Sequence, residues 1–397
     1  MTGCRRCLYP AHHPLGLLLD DQGICTGCRV HEEKDRLDWA AREARLMTIL
    51  DAYRSGDGRR HDCIVPVSGG KDSFFVVDRL KRWGMNPLLV SFNRVYNSYA
   101  GIFNLEQLRT RLGADIVSMT LAPDLHRRLA QMSLDRLGSF HWPYLAGSTV
   151  FPVQMAVSRR IPLIVWGAHQ GLEQVGMFSH LDEVEMTRRY RKEHDLMGLE
   201  PEDVADDVLP ERDLAPLFYP DDRRLNAVGV RGIYLGNYLR WDTRAQHIEM
   251  LAKYDYCAAP QPRTFDTCTD VDCLLHGTVH DAIKVRKWGY GKATDHACRE
   301  IRFGRMTREQ GLAFVAGRQS PDADAGPVAE WLGLSVAEFW AMVDRFRRHH
   351  DPQPAASPAE APAACAFPVN LPARMARAPF DGQLLMRGWA PAPGDDP

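Results

Sequence analysis

An apolar run that ends in two glycines and leads into an amphipathic segment constrains this chain more than any other feature. The run and the loop occupy residues 64–73 with the sequence IVPVSGGKDS, and the amphipathic segment extends over residues 74–83. This pattern predicts a buried strand, a tight loop and a helix. Because the first N–H groups and the positive dipole end of that helix would face the loop, we expect the loop to bind a phosphate or pyrophosphate.

The chemistry of the loop agrees with an anion site. Its residues offer backbone N–H groups, hydroxyl donors and charge, and the candidate binding set is Ser68, Gly69, Gly70, Lys71, Asp72 and Ser73. A Walker A loop requires Ser or Thr directly after Gly-Lys, whereas Asp72 follows Lys71 here, which excludes that class. The string SGGKDS instead resembles the PP-loop of ATP pyrophosphatases, which split ATP into AMP and pyrophosphate. The alternative is a Gly-Gly turn that binds no ligand.

From about residue 61, strand and helix patterns alternate along the chain. We predict strands over 63–67, 87–92, 115–121 and 161–167, and helices over 72–83, 105–112, 125–137 and 151–158. A fifth strand is expected within 229–242, before a helix over 243–254. Nearly continuous apolar strands of this kind form parallel sheets that are buried on both faces. The predicted fold class is therefore α/β, a doubly wound parallel sheet whose ligands bind at the carboxyl ends of the strands.

Two of these strand ends carry further candidate residues. Ser91 and Asn93 follow the second predicted strand and would lie beside the nucleotide, unless they are ordinary strand-end residues. Gly167 ends the fourth strand and permits a ligand to approach the backbone closely. His169 and Glu173 come next, and they either line the pocket or lie on the surface.

Four of the ten cysteines lie within the first 28 residues. They form two C-x-x-C pairs, Cys4 with Cys7 and Cys25 with Cys28. This spacing is typical of a zinc ribbon, in which four thiolates close a tetrahedral site that is structural rather than catalytic. The alternative is two pairs of free thiols.

These features divide the chain into five parts. We predict a zinc ribbon at 1–35, a linker helix within 36–60, a PP-loop ATP pyrophosphatase domain at 61–250, a helical C-terminal domain at 251–350 and a disordered tail rich in Pro and Ala at 351–397. The helix that joins the ribbon to the catalytic domain is predicted over 32–53. Four later cysteines lack the C-x-x-C spacing, and we interpret them as buried thiols rather than a second metal site: Cys257, Cys268, Cys273 and Cys298.

Composition argues against several classes of function. The chain has 397 residues, 45% of them hydrophobic, which is enough for a sizeable core. Its formal net charge is −2 and it has no block of Lys and Arg, so we expect no nucleic-acid partner. We see neither an apolar secretory segment at the start nor an apolar run of membrane length, and we expect a cytoplasmic protein without a membrane partner.

Two charged stretches each have two interpretations. Residues 186–194 mix basic and acidic side chains, and we favour a solvated helix and loop over an insertion that faces a substrate. Residues 284–305 place Lys and Arg among glycines and aromatic residues. This segment either binds a phosphorylated ligand such as a nucleotide sugar or forms a helix pair with exposed basic residues.

Motifs along residues 3–348 together resemble the N-acetyl sugar amidotransferase family, the WbpG-like and PseA-like enzymes of surface-polysaccharide biosynthesis. The motifs are CRRCLYP at 4–10, GICTGC at 23–28, DCIVPVSGGKDS at 62–73, IPLIVWG at 161–167, GVRGIYLG at 229–236 and GYGKATD at 289–295. The family pattern usually has Gly-Glu-Asn after the Trp of the fourth strand, where this chain has Gly167-Ala168-His169. The tail after about residue 350 lies outside the resemblance.

The resemblance implies a specific reaction and its cofactors. The enzyme would use ATP and Mg²⁺ to adenylylate the N-acetyl oxygen of a nucleotide-linked sugar, and ammonia would then give an acetamidino group. Lys71 and Asp72 would be the catalytic residues, with Lys71 holding the pyrophosphate and Asp72 fixing the loop or binding Mg²⁺. The four N-terminal cysteines would hold Zn²⁺. The ammonia would come from a separate glutaminase, similar to the glutaminase subunit of imidazole glycerol phosphate synthase, working with a cyclase-like partner.

Two other classes of function remain open at this point. A tRNA 2-thiolation enzyme can also combine N-terminal zinc with a PP-loop, but such enzymes place cysteines in the catalytic domain, and this chain has none from 64 to 256. A nucleotide-binding partner subunit without catalysis is the third interpretation, and the intact loop argues against it.

Overall fold

Five parallel strands form the centre of the fold. The computed structural model describes residues 3–94, 97–273, 275–348 and 359–372, and its sheet has the order β3-β2-β1-β4-β5. The strands are β1 Cys63–Pro66, β2 Pro87–Phe92, β3 Ile116–Met119, β4 Leu163–Trp166 and β5 Arg231–Tyr234. Cys63 pairs with Pro87 on one side and with Leu163 on the other, so β1 is central. The strand order reverses between β1 and β4, and sheets of this type bind ligands at such a reversal.

Helices surround the sheet. In chain order they are α1 Thr26–Glu33, α2 Trp39–Tyr53, α3 Lys71–Arg82, α4 Tyr99–Leu112, α5 Pro123–Leu137, α6 Trp142–Arg159, α7 Arg188–Tyr190, α8 Glu211–Leu214, α9 Asp222–Val228, α10 Thr243–Tyr254, α11 Asp281–Trp288, α12 Lys292–Arg302, α13 Arg308–Val315, α14 Gly326–Trp331 and α15 Val336–Asp344. None of the helices in the described ranges is long and apolar enough to span a membrane.

Alternate side chains of each strand face opposite helical layers. Cys63 and Val65 of β1 belong to a core that also contains buried residues of α2, α3 and α10. Ile64 belongs to a second core, which buried residues of α5 and α6 complete. This arrangement confirms the predicted fold class, a doubly wound parallel sheet, with a cysteine cluster near the N-terminus and helices in the C-terminal region.

Three helix predictions need correction. The helix predicted over 105–112 is only the second part of α4, which begins at Tyr99. The single helix predicted over 32–53 is wrong, because α1 and α2 are separate helices with residues 34–38 between them. The side chain of Asp38 accepts a hydrogen bond from the Ala41 N–H at 2.9 Å, and this N-cap starts α2. The helix predicted over 151–158 is only the second half of α6, which begins at Trp142 and continues through Pro152.

Part of the predicted disordered tail has a defined position. Residues 359–372 contain a short 3₁₀ turn, Ala363–Cys365, and the side chain of Cys365 is fully buried. Asn370 and Ala258 exchange two backbone hydrogen bonds of 2.8 and 2.9 Å. The Pro368 carbonyl accepts a hydrogen bond from Nε2 of His247 at 2.9 Å. The prediction of disorder is therefore wrong for 359–372, because apolar side chains and backbone groups of this stretch find partners on the body of the protein. Residues 351–358 and 373–397 lie outside the described residues.

Candidate active site

The loop after β1 turns sharply and closes on itself. Gly69 has φ +84°, in the left-handed region, and Gly70 is the N-cap of α3 without a side-chain cap. Oγ of Ser73 accepts a hydrogen bond from the Ser68 N–H at 3.0 Å, and Oγ of Ser68 accepts one from the Gly70 N–H at 3.3 Å. At the start of α3 the N–H groups of Lys71 and Asp72 have no carbonyl of an earlier helical turn to bond, whereas the Ser73 N–H donates to the Gly70 carbonyl at 3.0 Å. The first two N–H groups are therefore available for an anion.

A cavity of about 210 Å³ opens at the carboxyl ends of β1, β2 and β4. Its lining combines three polar residues of the loop and helix start with an apolar wall: Pro66, Val67, Ser68, Asp72, Ser73, Val76, Val90, Phe92, Tyr144, Ser148, Trp166 and Gly167. The polar end suits phosphate oxygens and a cation, and the aromatic end suits a flat base. The lining thus offers phosphate chemistry at the start of α3 and an aromatic surface at the other end.

The structure brings four of the predicted site residues to this cavity, namely Ser68, Asp72, Ser73 and Gly167. Gly69 and Gly70 shape the turn instead of lining the cavity. Ser91 is buried within β2, and Asn93 donates from Nδ2 to Oγ1 of Thr120 at 3.1 Å, so neither of these two lines it.

Lys71 lies behind the loop. Its side chain is 3% exposed, and the Nζ contacts the Asp72 carboxylate and donates to Oε1 of Gln246 at 3.1 Å. The ammonium also lies 5.2 Å from the ring centroid of Trp241. Lys71 does not line the cavity, because its side chain is directed towards Gln246 of α10, so its direct contact with pyrophosphate stays a prediction. Lys71 instead positions Asp72.

Sequence reasoning missed the contribution of α6. Tyr144 and Ser148 are four residues apart on this helix and therefore lie on one face, which lines the cavity. The helical spacing of these two residues was the available signal, but the predicted helix began too late to include them.

We expect Gly69→Ala to damage this site through two separable effects. At φ +84° an alanine is strained by roughly 1 kcal/mol, and its Cβ would lie 3.0 Å from the Leu105 N and 3.1 Å from the Gly101 O. We expect ATP affinity, measured by isothermal titration calorimetry, to fall at least about tenfold, since the turn must shift. Gly113→Ala is the matched control, because Gly113 has φ +56° with no atom within 4 Å of the added Cβ. Equal ATP affinity in both variants would show that the turn is not part of the site.

The four N-terminal cysteines converge. Their Sγ atoms all lie within 4.8 Å of one another, with 3.6 Å between Cys7 and Cys25 and 4.0 Å between Cys4 and Cys28. A tetrahedral zinc ion with bonds of about 2.3 Å separates its sulfur ligands by about 3.8 Å, so the cluster fits a structural zinc ion. Hydrogen bonds from Cys25, then from Cys28 and Cys7, hold the pKa of the Cys4 thiol well below its usual range, which favours a thiolate there.

The predicted buried state of the later cysteines is confirmed: Cys257, Cys268, Cys273 and Cys298 are at most 3% exposed. The Cys268 thiol donates to Oδ1 of Asp266 at 3.2 Å. Burial raises the pKa of the Cys268 thiol well above its usual value, so this sulfur is a poor nucleophile.

The two polar residues after β4 have different environments. Glu173 accepts a hydrogen bond from Nζ of Lys34 at 2.6 Å. His169 is 2% exposed and lines a second cavity of about 210 Å³, together with Trp166, Tyr190, Asp195, Tyr234 and neighbouring residues. Trp166 lines both cavities, so they lie side by side at the carboxyl end of β4.

Asp195→Asn is expected to stabilise the protein above neutral pH. Burial raises the pKa of the Asp195 carboxyl from 3.8 to about 7, against the opposing charge of Arg191. The folded chain therefore keeps a proton that the unfolded chain loses, and wild-type stability falls as the pH rises from about 4 to about 7. The variant does not lose stability in this way. The difference in free energy of unfolding between variant and wild type should therefore grow from about pH 4 to about pH 7 and level off above it, at no more than about 4 kcal/mol. Urea unfolding of both proteins across this range measures the difference, and a difference that is constant with pH would contradict the expectation.

Comparisons with known proteins identify one family in the C-terminal region. Residues 249–354 match the model of the LPS biosynthesis protein WbpG-like, C-terminal domain. This match confirms the WbpG-like resemblance for residues 249–354. No curated protein matches the chain.

Two solved structures show partial likeness. One is a predicted subunit of tRNA methyltransferase from Methanocaldococcus jannaschii, with 22% identity and a TM-score of 0.21, covering 34% of this chain and 64% of that chain. The other is NMN synthetase from Francisella tularensis, with 12% identity and a TM-score of 0.28, covering 56% of this chain and 99% of that chain. At these TM-scores neither structure is evidence for the function of this chain.

Proposed function

We propose that this chain, which carries the WbpG-like C-terminal domain over residues 249–354, is an ATP-dependent N-acetyl sugar amidotransferase of lipopolysaccharide biosynthesis. It would convert the acetamido group of a nucleotide-linked sugar into an acetamidino group. The observation that supports this proposal most directly is the cavity where Ser68, Asp72 and Ser73 surround the start of α3.

The proposed reaction has two steps. The acetamido oxygen attacks the α-phosphorus of ATP, the bond to the outer two phosphoryl groups breaks, and pyrophosphate leaves an adenylylated imidate. Ammonia then attacks the imidate carbon, and AMP leaves with the former acetamido oxygen. The product is a protonated amidine, so a neutral substituent of the sugar becomes cationic.

The residues of the cavity would mainly position the reactants and stabilise charge. The first N–H groups of α3 and the hydroxyls of Ser68 and Ser73 would bind the leaving pyrophosphate. The Asp72 carboxylate would hold Mg²⁺, which neutralises phosphate charge when bound. Lys71 contacts the same carboxylate and would fix its orientation. Phe92, Tyr144 and Trp166 offer an apolar wall for the adenine.

Ammonia is the remaining reactant. We propose that a separate glutaminase with a cyclase-like partner supplies it, as the resemblance implies, and that the reaction takes place in the cytoplasm. With the chain alone, free ammonium should therefore support the reaction and glutamine should not.

The proposal is tested by incubating the chain with ATP, Mg²⁺, ammonium chloride and a panel of UDP-N-acetyl sugars. Mass spectrometry should find one sugar in which O is replaced by NH, with AMP and pyrophosphate formed in equal amounts. AMP formation that depends on tRNA instead would support the thiolation enzyme. ATP binding without AMP formation under any condition would support a noncatalytic subunit.

A further inference from the structure

The second cavity has its own chemistry. It lies at the carboxyl ends of β4 and β5 and is closed by the segment from 177 to 195, whose Met177, Met186 and Tyr190 line it. The His169 ring packs edge-on against Tyr234, with 4.7 Å between centroids, and lies 4.4 Å from the Tyr190 ring. The cavity is thus a mostly apolar chamber in which a few polar groups decide what can bind.

Two N–H donors in the lining are buried without a hydrogen-bond partner in the described residues, Nε2 of His169 and Nε1 of Trp166. Nδ1 of His169 accepts a hydrogen bond from the Leu172 N–H at 3.2 Å, so the neutral ring carries its proton on Nε2. Burial lowers the pKa of His169 to about 4, which keeps the ring neutral near pH 7. Each buried donor without a partner costs free energy, and a ligand acceptor that reached it would recover that cost.

Asp195 supplies a hydrogen-bond acceptor, in contrast to the two donors. Its carboxyl also lines the cavity, and burial raises its pKa to about 7, with Arg191 opposing. Arg191 does not itself line the cavity, since its Nη1 donates to Glu200 at 2.6 Å and its Nε to Oγ1 of Thr149 at 2.9 Å. Asp195 can therefore accept a hydrogen bond from a ligand N–H.

These groups select a neutral ligand. A cation would face two N–H donors, and an anion would face the Asp195 carboxyl without a Lys or Arg in the lining. A secondary amide matches these three groups, because its oxygen accepts from His169 and Trp166 while its N–H donates to Asp195. An acyl methyl group would contact the side chains of Met177 and Met186.

We propose that this second cavity binds the acylamido group of the acceptor sugar, with His169 and Trp166 on the amide oxygen and Asp195 on the amide N–H. The inference rests on the proposed function and assigns its acceptor subsite. Because Trp166 lines both cavities, an oxygen held there lies at the boundary with the nucleotide cavity. His169, Trp166 and Asp195 are then the residues that determine specificity for an N-acyl group.

The test uses the full chain labelled with ¹⁵N-tryptophan and N-methylacetamide, the simplest secondary amide of this shape, as the probe. The indole N–H resonance of Trp166, assigned with Trp166→Phe, should shift saturably on titration. His169→Phe keeps a ring of similar size but removes the donor, and we expect about tenfold weaker binding. The matched control is His126→Phe, since His126 is also a buried imidazole but lies on α5 outside the cavity, and it should leave the affinity unchanged.

Further arms separate the possible ligands. Methyl acetate has the carbonyl without the N–H, so it should bind the wild type more weakly than N-methylacetamide does. In Asp195→Leu, which removes the acceptor, the two ligands should bind equally weakly. A saturable response to ammonium chloride but none to the amide would overturn the inference in favour of an ammonia site. Equal amide affinity in wild type and His169→Phe would also overturn the inference. Should His169→Phe not fold, equal amide affinity in wild type and Asp195→Leu would overturn it.

Failure of the inference is distinguishable from failure of the proposed function. Amide binding is measured without ATP and without turnover, whereas the proposed function depends on AMP formation with an N-acetyl sugar. A chain that forms the amidine while His169→Phe leaves the KM of the acceptor unchanged would reject the acceptor subsite alone. A chain that binds the amide in the cavity but forms no AMP with any N-acetyl sugar would reject the reaction alone.

Discussion

Replacing Asp72 with asparagine should reduce ATP-dependent AMP formation by about a thousandfold or more, the loss expected when a group that stabilises transferred charge is removed. Asp72 lines the nucleotide cavity beside the hydroxyls of Ser68 and Ser73, and its side chain is 57% exposed there. Hard oxygen ligands of this kind are those that Mg²⁺ prefers, and an amide in the same place keeps the size but loses the charge. AMP formation at a series of Mg²⁺ concentrations measures the effect.

The chain offers a matched control for this variant. Asp124 is also an acidic residue in the first turn of a helix, α5, so Asp124→Asn makes the same change at a helix start without touching the cavity. Its AMP formation should equal that of the wild type. The rate of AMP formation by Lys71→Met should lie between those of Asp72→Asn and Asp124→Asn. This variant should also need more Mg²⁺, because Lys71 contacts the Asp72 carboxylate and does not line the cavity. Asp72→Asn with wild-type activity would refute the assignment of the metal ligand.

The sequence predicted the central sheet well because local signals and packing agree there. Apolar runs at 63–67 and 161–167 are buried on both faces, and β2 begins and ends where predicted, Pro87–Phe92. The sharp turn before α3 was predictable because glycine readily adopts the left-handed φ of +84° seen at Gly69. The direction of the Lys71 side chain was not predictable, since it depends on Gln246 and Trp241, about 170 residues away in the sequence.

The second cavity shows where sequence reasoning stops. His169 was a candidate only as a polar residue after a strand. Its role depends on the Leu172 N–H, on Trp166 and on Asp195, which directly follows the charged stretch 186–194 that we favoured as a solvated helix and loop. Within that stretch Arg191 is fully buried and bonded to Glu200, so the interpretation of a solvated segment is wrong for Arg191. A buried ion pair such as Arg191 with Glu200 leaves no periodic pattern in the sequence that would reveal it.

Loss of the metal from the cysteine cluster should have the largest effect on stability. Zinc binding supplies much of the folding free energy of such small segments, and we expect Cys28→Ser to lower the zinc content from one ion to nearly none and Tm by roughly 10 °C. The cluster is also attached to the active-site region. Arg302 of α12 lies 3.8 Å from the Cys25 sulfur and donates to the Glu173 and Gln174 carbonyls at 3.0 and 2.7 Å. Those carbonyls belong to the turn that directly follows His169, so the ribbon, α12 and the second cavity share one network.

This network predicts which segments lose protection from hydrogen exchange when the zinc is lost. Hydrogen exchange should become faster in Cys28→Ser not only at 26–33 but also at 171–175, and the KM for the acceptor should rise more than the KM for ATP. Metal analysis by mass spectrometry, calorimetry and exchange measure these outcomes. Cys365→Ser is the matched control, because Cys365 is an equally buried thiol that donates to the Arg305 carbonyl at 3.2 Å, a bond that serine can keep. If exchange at 171–175 is unchanged when the zinc is gone, Arg302 does not couple the ribbon to the cavity, and the ribbon is a separately folding attachment.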